Sequence, residues 1–254
     1  MSEPAFGPEE LSVFKRDGFV VVRSLYDLKE IAQISKWVDE LSTMPTERGK
    51  LMVYFEEDLK NPGLKILSRI EKFIDYHRSL RKIVFGDVML SRVDRLLGEE
   101  GVLFKEKINF KLPGGGGFKP HQDIQPGWDD YAKYFISVLV TIDESTEENG
   151  CLELAAGHHR RGLIGRKWQP LEGAELRGME FVRYPMRPGD AAFFDCFVPH
   201  QSAPNLTDKP RRNLYLTFNR SSEGDWRDKY FEDKRKSYPP DNEREPGKDY
   251  TFRV

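Results

Sequence analysis

The chain of 254 residues has little of what several protein classes require. Its only cysteines, Cys151 and Cys196, are too few for a disulfide scaffold or a cysteine zinc site. Its 40 basic and 42 acidic residues nearly cancel, which argues against a dedicated nucleic-acid-binding protein. Its apolar runs fall far short of the roughly 18 residues of a membrane helix. These absences favour a soluble enzyme that acts on a small molecule.

The N-terminal residues Met1–Pro4 contain no basic region followed by an apolar stretch, so the sequence predicts no secretory signal. Cys151 and Cys196 are expected to be reduced thiols, as is usual in a cytosolic protein. We therefore expect a cytoplasmic protein that contacts neither nucleic acid nor a membrane. The sequence leaves its oligomeric state open.

The first third of the chain is predicted to be mainly helical. Proline and acidic residues suit the first turn of a short helix, and Asp27 can cap a second helix whose apolar residues recur at helical spacing. The β-branched run at residues 19–22 predicts one strand. The predicted helices begin at Pro8 and Asp27 and cover residues 62–85 and 87–97.

From Gly101 the pattern changes to short β-rich segments separated by turn-forming residues, which is typical of a jelly roll. We expect an α+β fold with a mainly β core and flanking N-terminal helices, in one domain over residues 1–254. Its predicted parts are a helical layer plus the first strand (1–100), a jelly-roll core (101–220) and a charged, proline-rich surface tail (221–254).

His121 and Asp123 are candidate metal ligands. If this segment is a strand, residues two apart share one face and both side chains enter the same cavity. His200, after another predicted strand, supplies a third donor. Two histidines and one carboxylate occupy one face of an octahedron around Fe(II) and leave the other positions open. The structural alternatives are that His121 is a turn residue, that Asp123 is a local cap and that His200 is a loop residue.

Arg211 strengthens the metal interpretation. It stands 11 residues after His200 and begins a strand-like segment, where its guanidinium can bind a carboxylate at two points. Ser202, two residues after His200, adds a hydroxyl on the same face. The neighbouring Arg212 would point the other way.

The ordered set of motifs resembles the phytanoyl-CoA dioxygenase family of Fe(II)- and 2-oxoglutarate-dependent oxygenases. The resemblance covers residues 102–220, and residues 17–21 more loosely. It rests on His121-Gln122-Asp123, Glu148-Asn149-Gly150-Cys151-Leu152, Gly157-His158-His159, Pro188-Gly189-Asp190 with Phe193-Phe194, and His200-Gln201-Ser202 followed by Arg211.

The resemblance implies a double-stranded β-helix, a cupin-like jelly roll, and oxidation of substrate by O2 with release of succinate and CO2. It implies that Asp123 favours hydroxylation over halogenation, because related halogenases carry a small residue there. The implied iron ligands are His121, Asp123 and His200. The implied 2-oxoglutarate residues are Arg211, Ser202 and Asn109, with Lys107 beside the co-substrate or the substrate.

Aromatic and acidic residues follow the metal motif. Trp128, Tyr131 and Tyr134, near acidic residues, suit an ammonium group, which aromatic faces attract. Lys107 suits an anionic end. Members of the family also hydroxylate small polar metabolites, so we expect an amine-bearing or zwitterionic substrate of the aminophosphonate or compatible-solute type. The structural alternative is that Trp128 and Tyr131 only pack a surface lid.

Two other functions remain open at this point. The same cofactors could act on an acyl-CoA or a natural-product intermediate by hydroxylation, desaturation or cyclisation. A metal-dependent jelly roll that binds a small ligand without turnover is the alternative of another class, although such a protein would not need Arg211. The glycine loop at residues 114–117 lacks the Gly-Lys-Ser/Thr of a phosphate loop.

Overall fold

The computed structural model describes residues 5–250. Met1–Pro4, on which the signal prediction rests, and the last four residues of the tail lie outside that range. Within it, no helix combines the length and apolar character needed to cross a membrane. The helices are α1 (Pro8–Asp17), α2 (Leu28–Ser42), α3 (Arg78–Val84), α4 (Asp87–Leu97) and α5 (Arg227–Ser237).

The strands form two antiparallel sheets that face each other. The larger has the order β1-β9-β6-β11-β4-β3-β2 and the smaller the order β5-β10-β7-β8. This is the predicted jelly roll of the double-stranded β-helix type, with helices on the outside. The strands are β1 (Phe19–Val22), β2 (Met52–Glu57), β3 (Lys65–Glu71), β4 (Gly101–Lys111), β5 (Phe118–His121), β6 (Phe135–Thr141), β7 (Leu152–Leu154), β8 (Val182–Tyr184), β9 (Ala191–Asp195), β10 (His200–Ser202) and β11 (Arg211–Arg220).

The outer face of the large sheet packs under the helices. Asp27 caps α2 by accepting the backbone N–H groups of Lys29 and Glu30, each at 2.8 Å. The apolar stripe of α2 then lies on the sheet because residues three and four apart share a helix face. Its buried members are Ile31, Ile34, Val38 and Leu41. The predicted helices from Asp27 and over 87–97 are therefore confirmed.

The inner face of the same sheet is polar. On β4, residues 105, 107, 109 and 111 alternate with buried apolar side chains such as Ile108 and Phe110. On β11, residues 211, 213, 215 and 217 lie opposite them in register. One sheet thus carries a hydrophobic core on one face and a row of cationic and amide side chains on the other.

The predicted helix over residues 62–85 is wrong in its first half. Lys65–Glu71 is strand β3, which pairs with the unpredicted strand β2 and with β4. Ile70 packs in the core under the helices, while Arg69 and Glu71 face the opposite way. The apolar spacing imitates a helix, but pairing with β4 decides the structure because it satisfies the backbone hydrogen bonds.

The tail after residue 221 does more than wrap the surface, which corrects that prediction. It forms α5, whose Tyr230 and Phe231 are buried against Phe104 and its aromatic neighbours. Arg227 anchors the helix through Glu106, 2.6 Å from Nη2, and through Asp75. The helix therefore closes one end of the inner face of the sheet.

We expect Phe231→Ala to lower the free energy of unfolding by about 3–5 kcal/mol, the usual cost of deleting a buried aromatic ring. Lys236→Ala on the exposed side of the same helix should change it by about 0.5 kcal/mol at most. Denaturant titration of both variants measures the difference. Equal values would mean that α5 is not part of the cooperative core.

Candidate functional site

Three predicted metal ligands meet where the two sheets approach each other. His121 ends β5 and His200 begins β10, and the two residues are direct partners in the antiparallel pair. Their ring centroids lie 4.2 Å apart. Asp123 follows on the same side, with Oδ1 3.8 Å from Nε2 of His200. One ligand atom from each residue lies within 4.8 Å of the other two.

Neighbouring groups orient these donors. Nδ1 of His121 lies 2.7 Å from the carbonyl of Lys119, and Nδ1 of His200 lies 3.0 Å from that of Val198. Each Nδ1–H donates to a carbonyl, so each Nε2 is left with a lone pair. Ser137 donates a short hydrogen bond to Asp123. The arrangement therefore leaves both Nε2 atoms and the carboxylate of Asp123 available as donors close to one another.

The charges of the site also suit a divalent metal. Burial, and then the neighbouring His200, lower the pKa of His121 to about 3, so its ring is neutral and able to ligate near pH 7. Burial opposes ionisation of Asp123, but His200, Lys107 and His121 outweigh it and keep its pKa below the ordinary value. Two imidazoles and one carboxylate are the donor set of Fe(II) oxygenases with open positions.

Gln122, between two of the ligands, was not singled out from the sequence. Its buried amide donates to the carbonyls of Phe197 (2.7 Å) and Gly162 (2.8 Å) and accepts the N–H of Ile164 (2.6 Å). It therefore ties β5 to the segment before His200. Only its place inside the His-X-Asp motif could have indicated this role.

Arg211 and Lys111 form a second cluster. They are cross-strand partners on β11 and β4, and their side chains are buried. Lys111 donates to Oγ of Ser202 at 2.7 Å and to the carbonyl of Ala203 at 2.6 Å. Burial, and then the charge of Arg211, lower the pKa of Lys111 to about 6. In the described part of the chain neither cation forms an ion pair with a carboxylate.

Amide groups complete this cluster. In its hydrogen-bonded orientation, the oxygen of Asn213 accepts from Nη1 of Arg211 at 2.7 Å. Nε of Arg211 and Oδ1 of Asn109, the cross-strand partner of Asn213, lack partners among residues 5–250. Two buried cations beside unsatisfied polar atoms are costly unless an anion joins them. The cluster therefore fits the distal carboxylate of 2-oxoglutarate. The sequence reasoning missed Lys111, although alternation from Lys107 and Asn109 indicates it.

A cavity of about 540 Å³ opens beside the metal donors and is lined by His121 and Asp123. Lys105 and Lys107 lie on its β4 side. Nζ of Lys105 lies 4.8 Å from the ring centroid of Trp128, and Nζ of Lys107 lies 4.9 Å from that of Tyr215. Burial, and then Lys105, lower the pKa of Lys107 to about 7. Within residues 5–250, neither lysine forms an ion pair.

Of the three aromatic residues predicted to bind the substrate, the structure places two at the cavity. Trp128 and Tyr131 line the cavity, and Tyr131 donates to Asp233 at 2.9 Å. The face of Trp128, however, is taken by the ammonium of Lys105. Tyr134 does not line the cavity; its ring packs 4.9 Å from the guanidinium of Arg220. The lining residues that the sequence reasoning missed include Arg69, Lys105, Tyr230 and Lys234.

Comparisons with known proteins agree with this geometry. The model of the phytanoyl-CoA dioxygenase family matches residues 14–213. A 2-aminoethylphosphonate dioxygenase from the uncultured bacterium HF130_AEPn_1 is 39% identical over 97% of this chain and 94% of its own. A methylphosphonate hydroxylase from Gimesia maris is 35% identical over 90% and 86%.

Solved structures share the fold. The crystal structure of EctD from S. alaskensis with 2-oxoglutarate and 5-hydroxyectoine superposes with a TM-score of 0.74 at 22% identity, covering 88% of this chain and 79% of that one. The fold, the His-Asp-His group and the dioxygenase relatives define the protein class as a 2-oxoglutarate-dependent non-haem iron dioxygenase. Within that class, the chain belongs to the phytanoyl-CoA dioxygenase family.

We expect His121→Ala and His200→Ala each to abolish turnover and to weaken Fe(II) binding, because each removes one of three donors. Unfolding curves should remain cooperative, since catalytic metal sites are open rather than structural. Succinate formation and metal content after gel filtration measure both effects. His158→Ala serves as the control. Near-normal succinate formation in either ligand variant would contradict the metal site.

Arg211→Lys should weaken 2-oxoglutarate binding roughly ten- to a hundredfold, because a point charge replaces a planar fork and one charge-assisted hydrogen bond is worth about 1.5–3 kcal/mol. Arg212→Lys is the matched control: Arg212 faces the other way and binds Asp143 and Asp39, so its loss affects stability and not the co-substrate. Titration with 2-oxoglutarate distinguishes them. The reverse ranking would assign the carboxylate to Arg212.

Proposed function

We propose that this enzyme hydroxylates a small phosphonate that carries an amine, of the 2-aminoethylphosphonate type. The observation that carries the proposal is that Lys105 and Lys107, which form no ion pair within residues 5–250, line the same cavity as His121 and Asp123. The two most similar relatives described above act, by their names, on 2-aminoethylphosphonate and methylphosphonate.

The metal and the co-substrate occupy different parts of the site. His121, Asp123 and His200 hold Fe(II). Lys111 and Arg211 bind the distal carboxylate of 2-oxoglutarate, and their neighbours Ser202 and Asn109 complete the polar wall around it. When bound, the iron, 2-oxoglutarate and O2 supply the oxidation of an unactivated C–H bond, with release of succinate and CO2.

Lys105 and Lys107 bind the phosphonate. Burying an ammonium group without an anion is unfavourable, and burial lowers the pKa of both lysines. A phosphonate offers three oxygens and a second ionisable proton, so it accepts from both lysines and favours their charged forms. Both side chains line the same cavity as Asp123, so a phosphonate bound there would place the carbon next to phosphorus nearest the metal donors.

The ammonium end of the substrate points towards the mouth of the cavity. Asp130 and Asp233, which also pair with Lys167 and Lys229, line the cavity together with the ring of Tyr131. A zwitterion laid between the lysines and these acids matches the charge at both ends. Trp128 contributes indirectly, because its ring holds the ammonium of Lys105 at 4.8 Å.

The test compares succinate formation at equal concentrations of 2-aminoethylphosphonate, methylphosphonate, β-alanine and an acyl-CoA thioester. We expect 2-aminoethylphosphonate to be preferred, methylphosphonate to react with a higher KM, and a hydroxylated product visible by phosphorus NMR. Lys107→Met should raise the KM for the phosphonates about ten- to a hundredfold, since it removes one charge-assisted hydrogen bond. Substrate-dependent succinate confined to the thioester or to β-alanine would refute the proposed function. Succinate without any oxidised substrate would do so as well.

A further inference from the structure

Helix α5 forms one wall of the cavity, although it lies beyond residues 14–213, the part matched by the family model. Tyr230, Asp233, Lys234 and Ser237 from this helix all line the cavity. Features specific to this chain and its near relatives can therefore enter the substrate site from the C-terminal segment.

Lys234 reaches from α5 to the inner face of the sheet and binds Glu71. Its Nζ lies 2.7 Å and 2.5 Å from the two carboxylate oxygens. Glu71 also forms an ion pair with Arg69, in which Nε lies 2.9 Å from Oε1, and its side chain has no exposed surface. Burial opposes its ionisation, but Lys234, Arg69 and Lys105 outweigh that effect and lower the pKa of Glu71 to about 2. The carboxylate is therefore charged at any physiological pH.

Glu71 is also the direct cross-strand partner of Lys107 in the β3–β4 pair. Directly opposite residues have Cβ atoms about 4.5–5.5 Å apart, and opposite charges there attract each other. Together with the metal donor Asp123, Glu71 is thus placed to pair with Lys107. Its oxygens instead lie on Lys234 and Arg69, and Lys107 has no ion pair in the part of the chain that the structure describes.

We infer that Lys234 is a positioning residue, which holds Glu71 away from Lys107 and so keeps Lys107 available for the anionic group of the substrate. The inference rests on the proposed function, because it assigns that group to Lys107. Docking of α5 against the sheet therefore also makes Lys107 available to bind an anion. Without Lys234, the carboxylate of Glu71 competes with the substrate for Lys107.

Anion binding is measured by calorimetry with methylphosphonate, using the full-length protein with Fe(II) and 2-oxoglutarate in the absence of oxygen. KM and kcat for 2-aminoethylphosphonate are measured in air. Lys234→Met should raise the Kd and the KM about ten- to a hundredfold, the range of one charge-assisted hydrogen bond. The kcat and the KM for 2-oxoglutarate should change much less. Lys236→Met, exposed on the same helix and paired with Glu232, should leave every value unchanged.

The decisive variant is Glu71→Gln combined with Lys234→Met. A neutral glutamine cannot compete for Lys107, so the double variant should bind methylphosphonate nearly as tightly as the original protein. If Lys234 instead contacts the substrate itself, the double variant stays as weak as Lys234→Met, and the inference is overturned. An unchanged Kd in Lys234→Met overturns it too.

Two controls make the result interpretable. Thermal unfolding of each variant reports whether α5 remains docked; should Lys234→Met fail to fold, Lys234→Gln and its combination with Glu71→Gln replace it with the same expectations. The unsubstituted protein separates the two claims. If it neither binds methylphosphonate nor oxidises a phosphonate, the proposed function and this inference both fall. If it does both and the double variant is not rescued, only the inference falls.

Discussion

The row of cationic side chains along the inner face of β4 is the constraint on which the rest of the site depends. Lys105, Lys107 and Lys111 project from one face because strand residues alternate, and the opposite face packs under the helices. Buried like charges repel, so such a row keeps its full charge only with anions around it. Glu71 and Asp123 supply part of that charge, and anionic ligands complete it. Recognition of anions is therefore built into the strand that joins the core to the active site.

The local part of the site could be predicted from the sequence because its signals are local. His121 and Asp123 are two residues apart, and Ser202 and Arg211 follow His200 along one short segment. Lys107 and Asn109 came from the family resemblance, and strand alternation from those two residues also indicates Lys111. Strand alternation does not identify the ion-pair partner of each lysine. That partner depends on the register between strands that are far apart in the chain.

The errors of the sequence analysis share one physical cause. Residues 65–71 have apolar spacing compatible with a helix, and their true state is decided by pairing with β4, almost 40 residues later. The charged tail has low helical amphipathicity, yet Phe231 and Arg227 find a buried aromatic cluster and the carboxylate of Glu106. In both cases tertiary contacts override local preference. Both segments also contribute to the substrate cavity, so the substrate was harder to predict than the chemistry.

The spacing of β4 would allow one strand to bind the two anionic ligands of the proposed function. Lys107 and Lys111 are four residues apart, which places their backbones about 13 Å from each other at roughly 3.3 Å per residue. The residue on the same face between them is Asn109, which is neutral and has an unsatisfied amide oxygen. A fourth lysine at that position would merge the two cationic regions, and a carboxylate would neutralise both. An amide separates them without cancelling either charge, so in the proposed arrangement the co-substrate and the substrate would each meet their own cation on opposite sides of Asn109.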